Sequence, residues 1–248
     1  MSLKIYSKEV QHKGGFNNGE IVENKPIQLS GDNKLQPYSN IFYWAHAYSE
    51  NGSTIGEHPH NVFEILSFVI EGEIEHYDSH NLKWIPLKKG DVQIIRAGNG
   101  ISHSEKLGPK AYMFQIWFDP DIRKTINIPA TYNDYSSGSF PVKKEDGMNV
   151  KYYSGEGSPL EMMTEGIKIF EVELEPGSHT IKVNSKDISS AYIIEGGVEI
   201  DGKKIRKDDF FVVENVPGIK LSSETHSKIF IIQSPAEVEY ETYASRYI

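Results

Sequence analysis

Residues 68–75 read FVIEGEIE, and residues 192–199 read YIIEGGVE. Each octet has an apolar run of three residues and then a Glu-Gly pair. One variable residue, a branched apolar residue and a glutamate follow. Apolar runs that end at a glycine turn are typical of β-strands joined in a hairpin. The octets start 124 residues apart, which is half of the 248-residue chain. They therefore predict an internal duplication, with one β-domain in each half.

Short strand patterns separated by turns extend outward from both octets. Residues 170–174 alternate apolar and acidic side chains, and Asp201-Gly202 is a preferred two-residue hairpin turn. We predict an all-β protein of two antiparallel β-barrels of the jelly-roll type, in residues 1–125 and 126–248. Residues 119–153, which include Pro129 and Pro141, are the predicted connection between the two copies.

The composition excludes or disfavours several classes of protein. Hydrophobic residues make up 38% of the chain, enough for a packed core, and no apolar run reaches the roughly 20 residues that span a bilayer. There is no cysteine, which excludes disulfides and thiolate ligands. The net charge of −9 disfavours direct binding to nucleic acids. The first residues lack the apolar segment of a signal peptide, so we expect a cytoplasmic protein that does not bind membranes.

Two pairs of residues suggest a metal site. His58-Pro59-His60 precedes an apolar strand, and His103-Ser104-Glu105 occurs in a later one. Side chains two apart in a strand share a face, so antiparallel strands could bring both pairs together. Three imidazoles and a carboxylate suit a divalent iron, manganese, nickel, copper or zinc ion, and not calcium. The spacing therefore predicts one divalent metal ion held by His58, His60, His103 and Glu105.

Four segments in order resemble the pirin family of the cupin superfamily. They are HPHNVFE at 58–64, EGEIEHYDS at 71–79, GDVQ at 90–93 and AGNGISHSE at 97–105. The resemblance implies a bicupin fold with Fe(II) in the N-terminal barrel, and all four predicted ligands fall on the family's ligand positions. It also implies quercetin 2,3-dioxygenase activity or, as in animal pirins, a role in transcriptional regulation. Asn61, Val62 and Asn99 depart from the family pattern, and we expect them to affect substrate choice more than metal binding.

The second barrel is predicted to lack the metal ligands. A gap-free alignment on the two octets places Lys182 and Asn184 opposite His58 and His60. A count from Asp209, which matches Asp91 of the first half, places Leu221 opposite His103. An ammonium and an alkyl group cannot replace imidazole ligands. We expect His179 and His226 to be structural or surface residues.

Other ionisable residues near the motifs have less defined roles. Glu64 follows His60 at the spacing of the ligating glutamate of many cupins. It could orient an imidazole N–H, or accept a substrate proton beside the metal. His76 and His80 flank a predicted hairpin, and we expect both to be exposed.

Two classes of function remain open from the sequence. As an enzyme, the protein would be a dioxygenase acting on O2 and a small flavonol-like aromatic substrate, with Glu105 or Glu64 accepting the substrate proton. As a non-enzymatic regulator, it would bind a protein partner in response to the metal's redox state or occupancy.

Overall fold

The computed structural model describes residues 2–29, 34–242 and 244–246. The chain forms two compact units, each a two-sheet sandwich. The first sandwich comprises Gln11–Ser137, Met162–Glu165 and Val238–Ile248, and the second comprises Met1–Val10, Gly138–Glu161 and Gly166–Glu237.

The secondary structure is almost entirely β. The strands of the N-terminal half are β1 (Ser2–Tyr6), β2 (His12–Phe16), β3 (Ile21–Ile27), β4 (Ile41–Ser49), β5 (Ser53–His60), β6 (Glu64–Glu71), β7 (Glu73–Asp78), β8 (Trp84–Lys88), β9 (Val92–Arg96), β10 (Ile101–Leu107), β11 (Ala111–Phe118) and β12 (Thr131–Tyr135). Those that follow are β13 (Val142–Glu145), β14 (Met148–Tyr152), β15 (Lys168–Leu174), β16 (Gly177–Lys182), β17 (Asp187–Glu195), β18 (Gly197–Ile200), β19 (Lys203–Arg206), β20 (Phe210–Glu214), β21 (Gly218–Ser223) and β22 (Ser227–Pro235). A short helix, α1 (Ile122–Thr125), and 3-10 turns at Lys8–Val10, Asn17–Gly19, Ser137–Ser139 and Ala244–Arg246 complete the described elements.

The first sandwich packs a seven-stranded sheet against a four-stranded one. The strand orders are β12-β9-β6-β11-β4-β3-β2 and β5-β10-β7-β8. Side chains from both sheets meet in one apolar cluster that includes Val69 and Met113 from the larger sheet and Ile55, Ile74 and Leu107 from the smaller. The sheets face each other without closing into a barrel, so the predicted barrels are open cupin-type sandwiches.

The second sandwich repeats this arrangement strand for strand. Its sheets have the orders β1-β20-β17-β22-β15-β14-β13 and β16-β21-β18-β19. Gly72 and Gly196 occupy the same place in the two copies, between β6 and β7 and between β17 and β18, with φ angles of 74° and 70°. Glycine adopts this left-handed conformation without steric cost, which explains why the Glu-Gly pair marks the duplication.

The boundaries of the two units differ from the predicted boundary between residues 125 and 126. The first ten residues belong to the second sandwich, where β1 pairs with β20 and Leu3 lies opposite Val213. This added strand covers the edge of the larger sheet, as β12 does in the first sandwich. Among the described residues, no helix is long and apolar enough to cross a membrane.

Candidate metal centre

Three of the four predicted ligands converge in the first sandwich. His58 and His60 lie at the end of β5, and His103 lies directly opposite His58 on β10. Their candidate ligand nitrogens all lie within 4.8 Å of one another, and the Nε2 atoms of His58 and His103 are 3.0 Å apart. Ligand nitrogens on one zinc-like ion are at most roughly 4.2 Å apart, since each bond is about 2.1 Å. A small closing movement would therefore seat a metal.

The state of the imidazoles suits metal binding. Burial, together with neighbouring His58, lowers the pKa of His60 to about 4, and burial and the other histidines hold the pKa of His103 well below its usual range. Both rings are therefore neutral at pH 7 and can present a lone pair. His58 donates its Nδ1 hydrogen to the carbonyl of Gly56 at 2.8 Å, which leaves a lone pair on its Nε2, the atom that faces His103 Nε2 at 3.0 Å.

His60 gives the direct test of whether these residues fit a metal. Its Nε2 is buried and has no hydrogen-bond partner among the described residues. A buried polar atom without a partner is costly, and a bound cation would remove that cost. The residues present fit a divalent metal ion.

Glu105 lies outside this three-histidine group. It is buried on β10, where its carboxylate accepts hydrogen bonds from Ser67 at 3.1 Å and from Gln115 at 2.5 Å. The register of β10 against β5 shifts between His103 and Glu105, so Glu105 lies opposite Ile55. Burial raises its pKa to about 7. Its roles as fourth ligand and proton acceptor stay predictions.

Glu64 is not part of the three-histidine group. Its two carboxylate oxygens accept hydrogen bonds from the backbone N–H groups of Met163 and Thr164, both at 2.8 Å, and from the Thr164 hydroxyl at 2.6 Å. Arg96 lies 3.7 Å from the same carboxylate. Glu64 therefore holds the segment 162–165, and no histidine among the described residues is hydrogen-bonded to it, which corrects the interpretation that it orients an imidazole. Its role as a proton acceptor stays a prediction.

His76 is buried, which corrects the expectation of an exposed side chain, whereas His80 is exposed as predicted. The His76 ring centroid lies 5.6 Å from that of His103, and His76 Nε2 lies 3.2 Å from the Asp78 carboxylate. Asp78 was not singled out from the sequence, although Ile74, His76 and Asp78 alternate on one face of β7. That alternation was the available signal.

We expect Asp78→Asn to destabilise the metal-free protein by about 1–2 kcal/mol at neutral pH, the scale of hydrogen bonds to a charged group. Burial opposes ionisation of Asp78, but hydrogen bonds from Asn81 and His80 outweigh it and lower the pKa. A lowered carboxyl pKa stabilises the fold above the unfolded-state value of about 3.9, and that contribution disappears as pH falls through the folded-state pKa. Denaturant unfolding of both proteins from pH 7 to pH 3 measures this. A stability difference that did not shrink with acid would contradict the assignment.

An aromatic wall borders the histidines. The Trp117 ring centroid lies 5.1 Å from that of His60, and Trp117 stacks on Tyr43 at 4.2 Å and on Phe63 at 5.2 Å. An open pocket of about 550 Å³ is lined by His60 and Phe63 and also by Asn61, one of the residues that depart from the pirin pattern. The pocket is large enough for a drug-sized organic molecule.

The second sandwich has apolar side chains where the first has ligands. The strand registers equate His76 with Ile200, Glu105 with Leu221, and hence His103 with Ile219. Ile219 lies opposite Ile181, as His103 lies opposite His58. The gap-free alignment, which gave Lys182 for His58 and Leu221 for His103, was therefore shifted by one and two residues. Ile181 and Ile219 offer no ligand atom.

Comparisons with known proteins place these features in a family. The sequence profile of the Pirin family matches residues 28–118. A Pseudomonas aeruginosa protein, provisionally named as a quercetin 2,3-dioxygenase, is 28% identical over 215 residues, covering 82% of this chain and 86% of that protein. The quercetin 2,3-dioxygenase of Escherichia coli K12 is 32% identical over 123 residues, which cover 47% of this chain and 52% of that protein. The crystal structure of the E. coli pirin YhhW with nickel(II) has a TM-score of 0.75 at 22% identity, covering 95% of this chain and 100% of that chain.

The predicted resemblance to pirins is therefore confirmed, and residues 28–118 form a pirin domain that contains all three histidines. The cupin-type fold is confirmed over nearly the whole chain. Relatives named as quercetin 2,3-dioxygenases support a pirin-like or quercetinase-like function.

Proposed function

We propose that the first sandwich is a metal-dependent dioxygenase of the quercetin 2,3-dioxygenase type, acting on a flavonol-like aromatic compound. The observation that carries the proposal is the convergence of His58, His60 and His103 beside an open pocket with an aromatic wall. The three imidazoles would hold one divalent ion, for which we propose Fe(II), with zinc, manganese, nickel and copper as alternatives. When bound, the ion would supply Lewis-acid and redox chemistry.

The protein's own residues would bind and orient the substrate. Phe63 lines the pocket and could present its ring to a planar flavonol, and Trp117 stacks on Phe63 and supports it. We assign Glu105 to a second task, which is either completing the ligand set or accepting the proton of a substrate hydroxyl. Its pKa of about 7 suits proton transfer near neutral pH.

The proposal is tested by oxygen uptake. Anaerobically purified protein loaded with one Fe(II) per chain should consume one O2 per quercetin, with both atoms of labelled O2 recovered in the product. We expect Glu105→Ala to abolish this turnover. A panel of flavonols and catechols that gave no uptake above the metal-free control, with the iron confirmed present, would refute the enzyme and favour a metal-responsive regulator that binds a protein partner.

Replacing Trp117 with leucine is expected to raise the KM for quercetin by up to about tenfold, because Phe63, which lines the pocket, would lose the ring that stacks on it, and an aromatic pair contributes roughly 0.5–1.5 kcal/mol beyond its buried area. Metal content should not change, since no Trp117 atom belongs to the ligand group. Trp84→Leu is the matched control, because Trp84 lies on β8 with its side chain 41% exposed. Steady-state kinetics with parallel metal analysis measures both variants. Equal KM values for the two would exclude the aromatic wall as the substrate surface.

A further inference from the structure

The second sandwich contains a cavity of its own. Its volume is about 270 Å³, and it opens between β14, β15, β16 and β22. The apolar wall consists of Met148, Val150, Phe170 and Ile181, which also belong to the core of this sandwich. The cavity therefore presents core side chains to a potential ligand.

A buried amide points to a polar group on that ligand. Gln233 lines the cavity, is only 3% exposed, and has a buried Nε2 with no hydrogen-bond partner among the described residues. It alternates along β22 with Ile229 and Ile231, which belong to the core, so its side chain is on the inner face. A donor left unpaired in this position costs free energy that a ligand oxygen would recover.

Lys168 adds a positive charge beside this amide. It lies directly opposite Gln233 across β15 and β22, on the same face as Phe170 and Val172. Lys168 is exposed, and its positive charge helps to lower the pKa of Glu156 after the larger effect of Lys143. It forms no ion pair with any residue that the structure describes.

The acidic groups that line the cavity already have partners. Glu145 accepts a hydrogen bond from the Tyr152 hydroxyl at 2.8 Å. Asp146 lies 3.3 Å from Lys182, which also lines the cavity. Glu156 pairs with Lys143 at 2.6 Å. Lys168 is thus the lining cation that remains available to an incoming anion.

Comparison of the two copies shows that Gln233 and Lys168 replace two residues of the aromatic wall of the first sandwich. Trp117 lies opposite Ile65 on β6 and Tyr43 on β4. At the matching register of the second sandwich, Gln233 lies opposite Ser189 on β17 and Lys168 on β15. An amide and an ammonium therefore stand where the first sandwich has an indole and a phenol. The two sandwiches therefore present different side-chain chemistry at this register.

We propose that this cavity binds a small carboxylate with an apolar body. The carboxylate would accept a hydrogen bond from the Gln233 amide and pair with the Lys168 ammonium. The apolar body would lie against Phe170 and Ile181. The volume falls below the roughly 300–1,000 Å³ of pockets for drug-sized ligands, so the ligand would be smaller than a flavonol.

Titration calorimetry on the full-length protein tests the proposal, with 3-phenylpropionate as the probe. We expect saturable binding of one molecule per chain. The uncharged analogue 3-phenylpropanol, with the same carbon skeleton, should bind at least about tenfold more weakly, because charge-assisted hydrogen bonds are the stronger ones. The absence of saturable binding, or equal affinity for the two compounds, would overturn the proposal.

Variants locate the binding. Lys168→Met and Gln233→Leu should each weaken binding of 3-phenylpropionate at least about tenfold. Lys144→Met is the matched control, because Lys144 is exposed and lies opposite Asn149, outside the cavity lining. Lys168 is also exposed, so its variant should keep the fold, which circular dichroism would verify. Affinity unchanged in both cavity variants, or lost in His58→Ala, would place the binding elsewhere and refute the site.

Discussion

Replacing both His58 and His103 with alanine is expected to remove the bound metal and to leave the protein folded. The two imidazoles face each other across β5 and β10, so their loss leaves His60 as the last member of the histidine group. Loss of one outer-shell partner already costs 10–100-fold in metal affinity, so loss of two direct ligands should cost well over about 100-fold. Metal analysis after dialysis against Fe(II) or Ni(II) measures this.

The fold should survive because the core does not depend on the histidines. The apolar cluster of the first sandwich is made by residues such as Val69, Leu107 and Met113. The His80→Ala variant is the control, since His80 is an exposed histidine of the same sandwich. Unchanged circular dichroism with loss of metal is the expected result. One metal per chain retained by the double variant would disprove the assignment of these residues.

The histidine pair could be predicted because strand geometry is local. His58 and His60 are two apart on one strand, so their common face follows from the period of the side chains. The partnership with His103 followed only because two motifs each had this spacing. Asp78 and His76 were missed as buried residues, because charged and polar side chains at a hairpin are usually exposed. Their burial depends on β10 lying beside β7, which the sequence does not specify locally.

Strand pairings between distant parts of the chain could not be predicted from the sequence for the same reason. Strand β1 is only five residues long, and its edge position in the second sandwich depends on a free edge at β20. The one-residue shift at His58 arises because β5 has one more residue than β10 between the pairs Ile55–Glu105 and His58–His103, whereas β16 and β21 pair without such an irregularity. The two-residue shift at His103 arises before β10, because Asp91 precedes His103 by 12 residues and Asp209 precedes Ile219 by 10. One extra residue in a strand changes every later correspondence.

The buried Glu64 carboxylate leads to a second large expected effect. We expect Glu64→Gln to destabilise the first sandwich by about 2–4 kcal/mol, because a buried charged acceptor is replaced where its donors remain. The carboxylate accepts three hydrogen bonds from Met163 and Thr164, and in glutamine one of its two oxygens would become an NH2 group that faces these donors. Glutamine cannot accept with both ends.

The Glu64→Gln variant should lose stability locally, in the segment 162–165, as well as globally. Segment 162–165 belongs to the first sandwich although both flanking segments belong to the second, and Glu64 supplies the hydrogen bonds to its centre. In Glu64→Gln, the amides of Met163 and Thr164 should exchange with deuterium much faster than in the unaltered protein. Glu71→Gln is the control, because Glu71 has the same side chain in an exposed ion pair with Lys89 on the same sandwich. Equal stabilities for the two variants, with slow exchange retained at Thr164, would show that Glu64 does not hold this segment in place.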